Sequence, residues 1–214
     1  MKAILFDLDG TLVDTAQDLG LALNLQLQQY GKPTLADHAI RPFASHGSKG
    51  LLNLGFGITP DHIDFIRMRD EYLEIYESVL TRSPQLFDGM QSALENIVAK
   101  GFKWGIVTNK PSRFTVPLIK SLGLTHRAAC VISGDDAPQP KPSPDTLLLA
   151  CERAQVRPED CLYIGDAERD IQAGKAAGMK TVIAMYGYID VSDQPLSWGA
   201  DAFIHSPSEI ANLI

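Results

Sequence analysis

At 214 residues the chain is long enough for one large domain, or for a core domain with a smaller companion. A net charge of -7 and a pI of about 5.2 argue against nucleic acid or an anionic membrane as the main partner, because neither attracts an acidic protein non-specifically. They leave room for an anionic substrate in a pocket that opposes the net charge.

The first element is an apolar run, Ala3–Phe6, read as a buried strand that runs into the acids Asp7, Asp9 and Asp14. No strand pattern follows between Thr15 and Thr81. Leu19, Leu23 and Leu27 mark one helix there. Thr59-Pro60 is expected to start a longer one carrying Ile63, Ile66, Tyr72, Leu73, Tyr76 and Leu80. Between them lies RPFASHGSKGLL, rich in small and polar residues. Further apolar runs then read as buried strands: Trp104–Thr108, Ala129–Ser133, Cys161–Ile164 and Thr181–Met185, with Ala202–His205 weaker.

Helical patterns separate these runs. Met90, Leu94, Ile97 and Val98 form one apolar face closed by Gly101; Phe114, Leu118, Ile119 and Leu122 form another closed by Gly123. Leu147–Ala154 and Ile171–Ala177 follow suit. Ser206, Pro207 and Glu209 spell a capping box for a last helix. The alternation implies an α/β fold with a Rossmann-like, mostly parallel sheet covered on both faces. A small helical domain, residues 15–83, is expected to interrupt a core made of residues 1–14 and 84–214. The joins are placed at Asp14–Gln17 and Ser83–Gly89.

The three cysteines, Cys130, Cys151 and Cys161, lack metal-ligand spacing and read as buried free thiols of a reducing compartment. The apolar run before Asp7 is too short for a signal peptide, and no run reaches membrane-spanning length. A cytoplasmic location is expected.

In an open parallel sheet the reactive crevice lies beyond the carboxyl ends of the strands. There the chain carries Asp7 and Asp9, then Thr108, Asn109 and Lys110, then Gly134-Asp135-Asp136 and a loop to Lys141, then Asp166 and Asp170. Any one aspartate after a strand is commonly a turn or cap residue, a role that suits Asp14 and Asp145. Asp135 and Asp136 suit turns, and Glu168 a helix's first turn. The converging set is different: several acids at one edge repel unless a cation neutralises them. Carboxylate oxygens select a hard divalent ion, and Mg²⁺ is the usual one where phosphate is handled.

DLDGTLVDT, a run ending in Thr108-Asn109, the dipeptide Lys141-Pro142 and GDAERD occur in this order over essentially the whole chain. Together they resemble the haloacid dehalogenase-like superfamily of phosphotransferases, and the helical insertion resembles that family's cap. The resemblance implies Asp7 as nucleophile toward phosphorus and Asp9 as the acid and base for the leaving group and water. It implies Thr108 as a phosphoryl-oxygen contact and Lys141 as a counter-charge to the phosphoryl group and Asp7. Asp7, the Asp9 carbonyl and Asp166 are the implied Mg²⁺ ligands, with Asp170 either a further ligand or an orienter of the ion's shell. Read from its own loop, APQPKPSPD, Lys141 is by default a solvated lysine, and only its order among the motifs assigns it to the site.

The substrate implied is a small phosphorylated metabolite, selected by the cap. Ser45, His46 and Lys49 in SHGSKG form either a substrate loop or an ordinary helix connection with Ser48 as N-cap. Asn109, Lys110 and Arg113 in TNKPSRF either reach the site or stand solvated at the next helix. Within the superfamily the chain resembles the phosphoglycolate phosphatase group. It resembles more closely still the N-acetylmuramic acid 6-phosphate phosphatases, through WGIVTNKPSRF and YGYI…WGAD. The same core also serves phosphosugar mutases, which stay as the alternative. A non-enzymatic phosphoacceptor domain would carry its acceptor at Asp135, and the Thr108–Lys141 pair speaks against it.

Overall fold

The computed structural model describes all 214 residues. Its central strand is β1 (Ala3–Phe6), whose four apolar side chains are all buried. Ile4 and Phe6 join the core on one face of the sheet, and Ala3 and Leu5 join the core on the other. This alternation follows from the two-residue period of a strand, and it requires helices on both faces. Five more strands complete a parallel sheet: β4 (Lys103–Val107), β5 (Val131–Ile132), β6 (Cys161–Gly165), β7 (Lys180–Ala184) and β8 (Ala202–Ile204). Their spatial order is β5-β4-β1-β6-β7-β8, so the chain crosses from one side of β1 to the other after β5.

Register places the functional residues. Phe6 lies opposite Ile106 on β4 and Ile164 on β6. One step on, Asp7 donates its N–H to Ile164 O at 2.8 Å, and Thr108 donates its N–H to Ile132 O at 2.9 Å. Thr108 and Asp166 therefore flank Asp7 at the carboxyl edge, beside the point where the strand order reverses.

The stretch after β1 is helical, as expected. A two-stranded antiparallel ribbon, β2 (Val13–Asp14) with β3 (Gln85–Leu86), pairs the residues at its two ends. Between them run α1 (Ala16–Gln29), α2 (Asp37–Ile40), α3 (Gly47–Phe56) and α4 (Phe65–Val79). Gln26 donates to Met68 O at 2.8 Å and the Tyr72 hydroxyl to Leu19 O at 3.1 Å, so buried hydrogen bonds tie α1 to α4. The sheet is covered by α5 (Met90–Ala99), α6 (Ser112–Ser121), α7 (Asp145–Ala154) and α8 (Glu168–Ala176).

Several local expectations give way. The helix expected from Thr59-Pro60 begins at Phe65, and its buried face is Phe65, Met68, Tyr72, Tyr76 and Val79. That stripe keeps the helical spacing, whereas Ile63 and Ile66 fall off it and are 94% and 56% exposed. Asp14 caps no helix, because Arg41 at 2.9 Å and the Tyr188 hydroxyl at 2.7 Å claim its carboxylate. Asp145 is the first residue inside α7, paired with Ser143 Oγ at 2.8 Å. Ser48 lies inside α3, behind Gly47. The last segment, Pro207–Asn212, is a 3-10 helix in which Glu209 reaches the His205 N–H at 3.3 Å, so no capping box closes on Ser206.

Leu5 is fully buried in the central strand. Leu5→Ala is expected to lower unfolding stability by about 2–5 kcal/mol, read as a lower denaturation midpoint at unchanged slope.

Candidate active site

Three carboxylates meet beyond β1 and β6. Oxygens of Asp7, Asp166 and Asp170 lie within 4.8 Å of one another, and all three residues are buried. Each is held by specific donors. Asp7 Oδ1 accepts the Leu8 N–H at 2.7 Å and pairs with Lys141 Nζ at 2.9 Å. Asp166 Oδ1 accepts from Thr11 Oγ1 at 3.2 Å, and its Oδ2 accepts the Tyr188 N–H and Ser45 Oγ, both at 2.8 Å. Asp170, in the first turn of α8, pairs with Lys141 Nζ at 2.6 Å through Oδ1 and accepts the Ala167 N–H at 3.1 Å through Oδ2. Gly10 has φ +83°, and a Cβ there would collide with the Asp166 carboxylate. Only glycine supplies both that backbone and that gap.

Burial dominates the electrostatics. It raises Asp7 to about 7, with Lys141 opposing and Asp170 and Asp166 reinforcing. It raises Asp166 to about 6, helped by Asp170 and opposed by the Tyr188 N–H, Arg169 and Ser45. Burial acts to lower Lys141, but Asp170 and Asp7 together carry it above its ordinary value, so it stays charged. Buried carboxylates that resist ionisation by themselves, with oxygens this close, fit a hard divalent cation.

The structure assembles most of the expected site. Lys141 is not a solvated loop lysine: it is 3% exposed and faces both Asp7 and Asp170. Thr108 is buried beside Asp7, with its Oγ1 accepting the Lys110 N–H at 3.1 Å. The Asp9 carboxylate stands apart from the triad. Its Oδ1 takes Lys110 Nζ at 2.9 Å and Thr15 Oγ1 at 2.6 Å, which leaves the main-chain carbonyl for any part in metal binding. Lys110 lies under the helical insertion, with Nζ 4.7 Å from the centre of the Tyr76 ring.

Other expected contacts fall elsewhere. Both ends of the Asn109 amide bond the Lys141 main chain at 2.8 Å, so Asn109 braces the lysine rather than facing a substrate. Arg113 is exposed and lies over its neighbour Phe114, 4.4 Å from guanidinium carbon to ring centre. SHGSKG is not a loop: Ser45 and His46 lie in a 3-10 helix, Arg41–His46, and Lys49 in the first turn of α3; Ser45 reaches the acid cluster, while His46 and Lys49 stay exposed. Asp135 accepts the Ser112 N–H at 2.8 Å at the start of α6, and Asp136 accepts the Ser133 N–H at 2.8 Å.

Sequence reading passed over four residues. Tyr163 bonds Lys141 from β6, Tyr188 bonds Asp14 and Asp166, Thr15 bonds Asp9, and Arg169 lowers the proton affinity of Asp7 and Asp166. Tyr163 carried one signal, a polar tip inside a strand otherwise wholly apolar.

A family description, haloacid dehalogenase-like hydrolase, matches residues 4–184. The chain belongs to this family. Among haloacid dehalogenase-like relatives, an N-acetylmuramic acid 6-phosphate phosphatase of Pseudomonas putida is 38% identical over 214 residues, covering 100% of this chain and 96% of its own. A phosphoglycolate phosphatase of Xanthomonas campestris pv. campestris is 40% identical over 212 residues, covering 98% and 94%. The crystal structure of a predicted phosphoglycolate phosphatase from Haemophilus somnus matches with a TM-score of 0.85 at 26% identity, covering 100% of this chain and 97% of that one. This haloacid dehalogenase-like chain is thus an enzyme of the phosphatase class. No helix is long and apolar enough to cross a membrane.

Asp7 holds its proton up to about pH 7 when folded, against 3.8 when exposed, so without a cation its contribution to stability falls as pH rises through that window. Asp7→Asn removes this dependence. The melting temperature of the variant minus that of the wild type, in EDTA, is expected to increase from pH 4 to pH 7.5. Gly10→Ala is expected to displace Asp166 and so, if the triad takes a divalent cation, to weaken its binding at least about tenfold, measured by calorimetric titration with Mg²⁺ as the probe.

Proposed function

We propose that the enzyme is a Mg²⁺-dependent phosphomonoesterase that hydrolyses a small phosphorylated metabolite through an aspartyl-phosphate on Asp7. The supporting observation is the different setting of two carboxylates two residues apart. Asp7 sits in the triad against Lys141, and Asp9 sits outside it, held by Lys110 and Thr15. One environment suits a nucleophile and the other a proton carrier.

In this reading Asp7, Asp166 and Asp170 hold the ion, which would neutralise charge on Asp7 and on the phosphoryl group. Lys141 adds a fixed positive charge beside Asp7 Oδ1, leaving Oδ2 to attack phosphorus. Thr108 Oγ1 and neighbouring N–H groups hold phosphoryl oxygens. Asp9 Oδ1 is occupied by Lys110 and Thr15, so Oδ2 is the atom that gives a proton to the leaving oxygen and later takes one from water.

Residues 15–83 act as a cap joined to the core at the β2–β3 ribbon, and Ser45, His46, Lys49 and Lys110 meet the leaving group. The substrate is 2-phosphoglycolate or N-acetylmuramic acid 6-phosphate, the compounds in the relatives' names. Each carries a carboxylate besides its phosphate, which suits lysines at the rim. Three free cysteines accord with a reducing, cytoplasmic setting.

Turnover of both compounds is to be measured with Mg²⁺ and with EDTA. One of them is expected to exceed a generic aryl phosphate in kcat/KM, and EDTA to abolish activity. Asp7→Asn should lose more than about 10⁴-fold in kcat with its fold intact; residual activity near the wild type's would sink the covalent route.

A further inference from the structure

The Lys141 ammonium has three protons and four oxygens within reach: Asp170 Oδ1 at 2.6 Å, Tyr163 OH at 2.7 Å, Asp7 Oδ1 at 2.9 Å and Val107 O at 3.1 Å. The two carboxylates compete for it, and Asp170 is the nearer. Lysine offers no geometry of its own to decide between them, since its charge is a compact head on a flexible stem. The two neutral oxygens come from the two strands that flank β1. Val107 O ends β4, and the Tyr163 hydroxyl rises from β6.

Tyr163 is fully buried. A phenylalanine would fill its space without a hydroxyl to satisfy, and a buried hydroxyl is costly unless bonded. Here it is bonded on every side. It accepts from Lys141 Nζ, donates to Val107 O at 3.0 Å, and lies 3.3 Å from the same Asp170 oxygen that pairs with the lysine. The hydroxyl therefore touches both the ammonium and the competitor of Asp7, and it is itself anchored to a main-chain carbonyl that cannot move without β4. Asn109 fixes the other end of the lysine, at its main chain.

We propose that Tyr163 is a positioning residue for the reaction: its hydroxyl sets how the Lys141 ammonium is shared between Asp7 and Asp170, and so keeps that charge at the attacking carboxylate. Tyr163 does not touch the phosphoryl group. The inference rests on the role given to Lys141 under the proposed function.

The test compares wild type, Tyr163→Phe and Lys141→Met as full chains with Mg²⁺ and p-nitrophenyl phosphate. Tyr163→Phe is expected to lose about 10–100-fold in kcat, the usual cost of removing a supporting hydrogen bond, with KM within twofold of wild type and the far-UV spectrum unchanged. In ¹⁵N-lysine spectra, the ammonium resonance that Lys141→Met removes is expected to shift and exchange faster in Tyr163→Phe. A kcat within twofold of wild type, a loss carried by KM alone, an unaltered ammonium resonance, or a Tyr163→Phe chain that fails to fold would each overturn the proposal. Activity retained in Lys141→Met would instead overturn the role of the lysine itself.

Discussion

Burying three carboxylates together is the constraint around which the rest of the molecule is organised. Each alone would stay protonated or draw in water, and their repulsion would spread the strand ends apart. The chain answers with one buried ammonium, several N–H and hydroxyl donors, and carboxylate oxygens close enough together to share a cation. Those donors come from far apart in sequence: Leu8 and Thr11 after β1, Ser45 from the helical insertion, Lys141 from the long loop after β5, and Tyr188 after β7. Satisfying one cluster therefore draws on nearly every part of the fold.

The sheet makes this affordable in space. Parallel strands end at one edge, and the reversal of strand order beside β1 opens a crevice there. Asp7, Thr108 and Asp166 need no special loops to meet, because a one-residue extension of neighbouring strands aligns them. Lys141 is different. It arrives from a loop with no strand to index it, and its place depends on Asn109, Asp170 and Tyr163. Charge is thus positioned by two devices of unequal stiffness: strand register for the acids, and a hydrogen-bonded frame for the lysine.

These two devices also divide what could be read in advance. Register follows from runs of apolar residues, so the six parallel strands and the acids beyond them were legible, as was the helical interruption after β1. The short ribbon β2–β3 was not, since two-residue strands leave no periodic trace. The error in α4 came from counting Ile63 and Ile66 as core when the true stripe ran through Phe65 and Met68. Asp14 read as a cap because its true partners, Arg41 and Tyr188, lie 27 and 174 residues away. Asn109 read as a substrate contact for the same reason: its partner, the Lys141 main chain, is 32 residues distant. Long-range polar pairings carry no local signature, whereas capping and amphipathic patterns do.

The bond from Ser45 to Asp166 has a bearing on how such enzymes diversify. Ser45 belongs to the helical insertion, in the short 3-10 helix Arg41–His46, yet its proton rests on an oxygen of the acid cluster that also receives the Tyr188 N–H. A change at this position alters the donor count on that oxygen from two to one. If Ser45 meets the leaving group as proposed, selectivity and ion affinity share an atom, and retuning the first would retune the second. Drift toward a new substrate should then leave its mark at Thr11 and Tyr188, which hold the same carboxylate, as well as in the helical insertion.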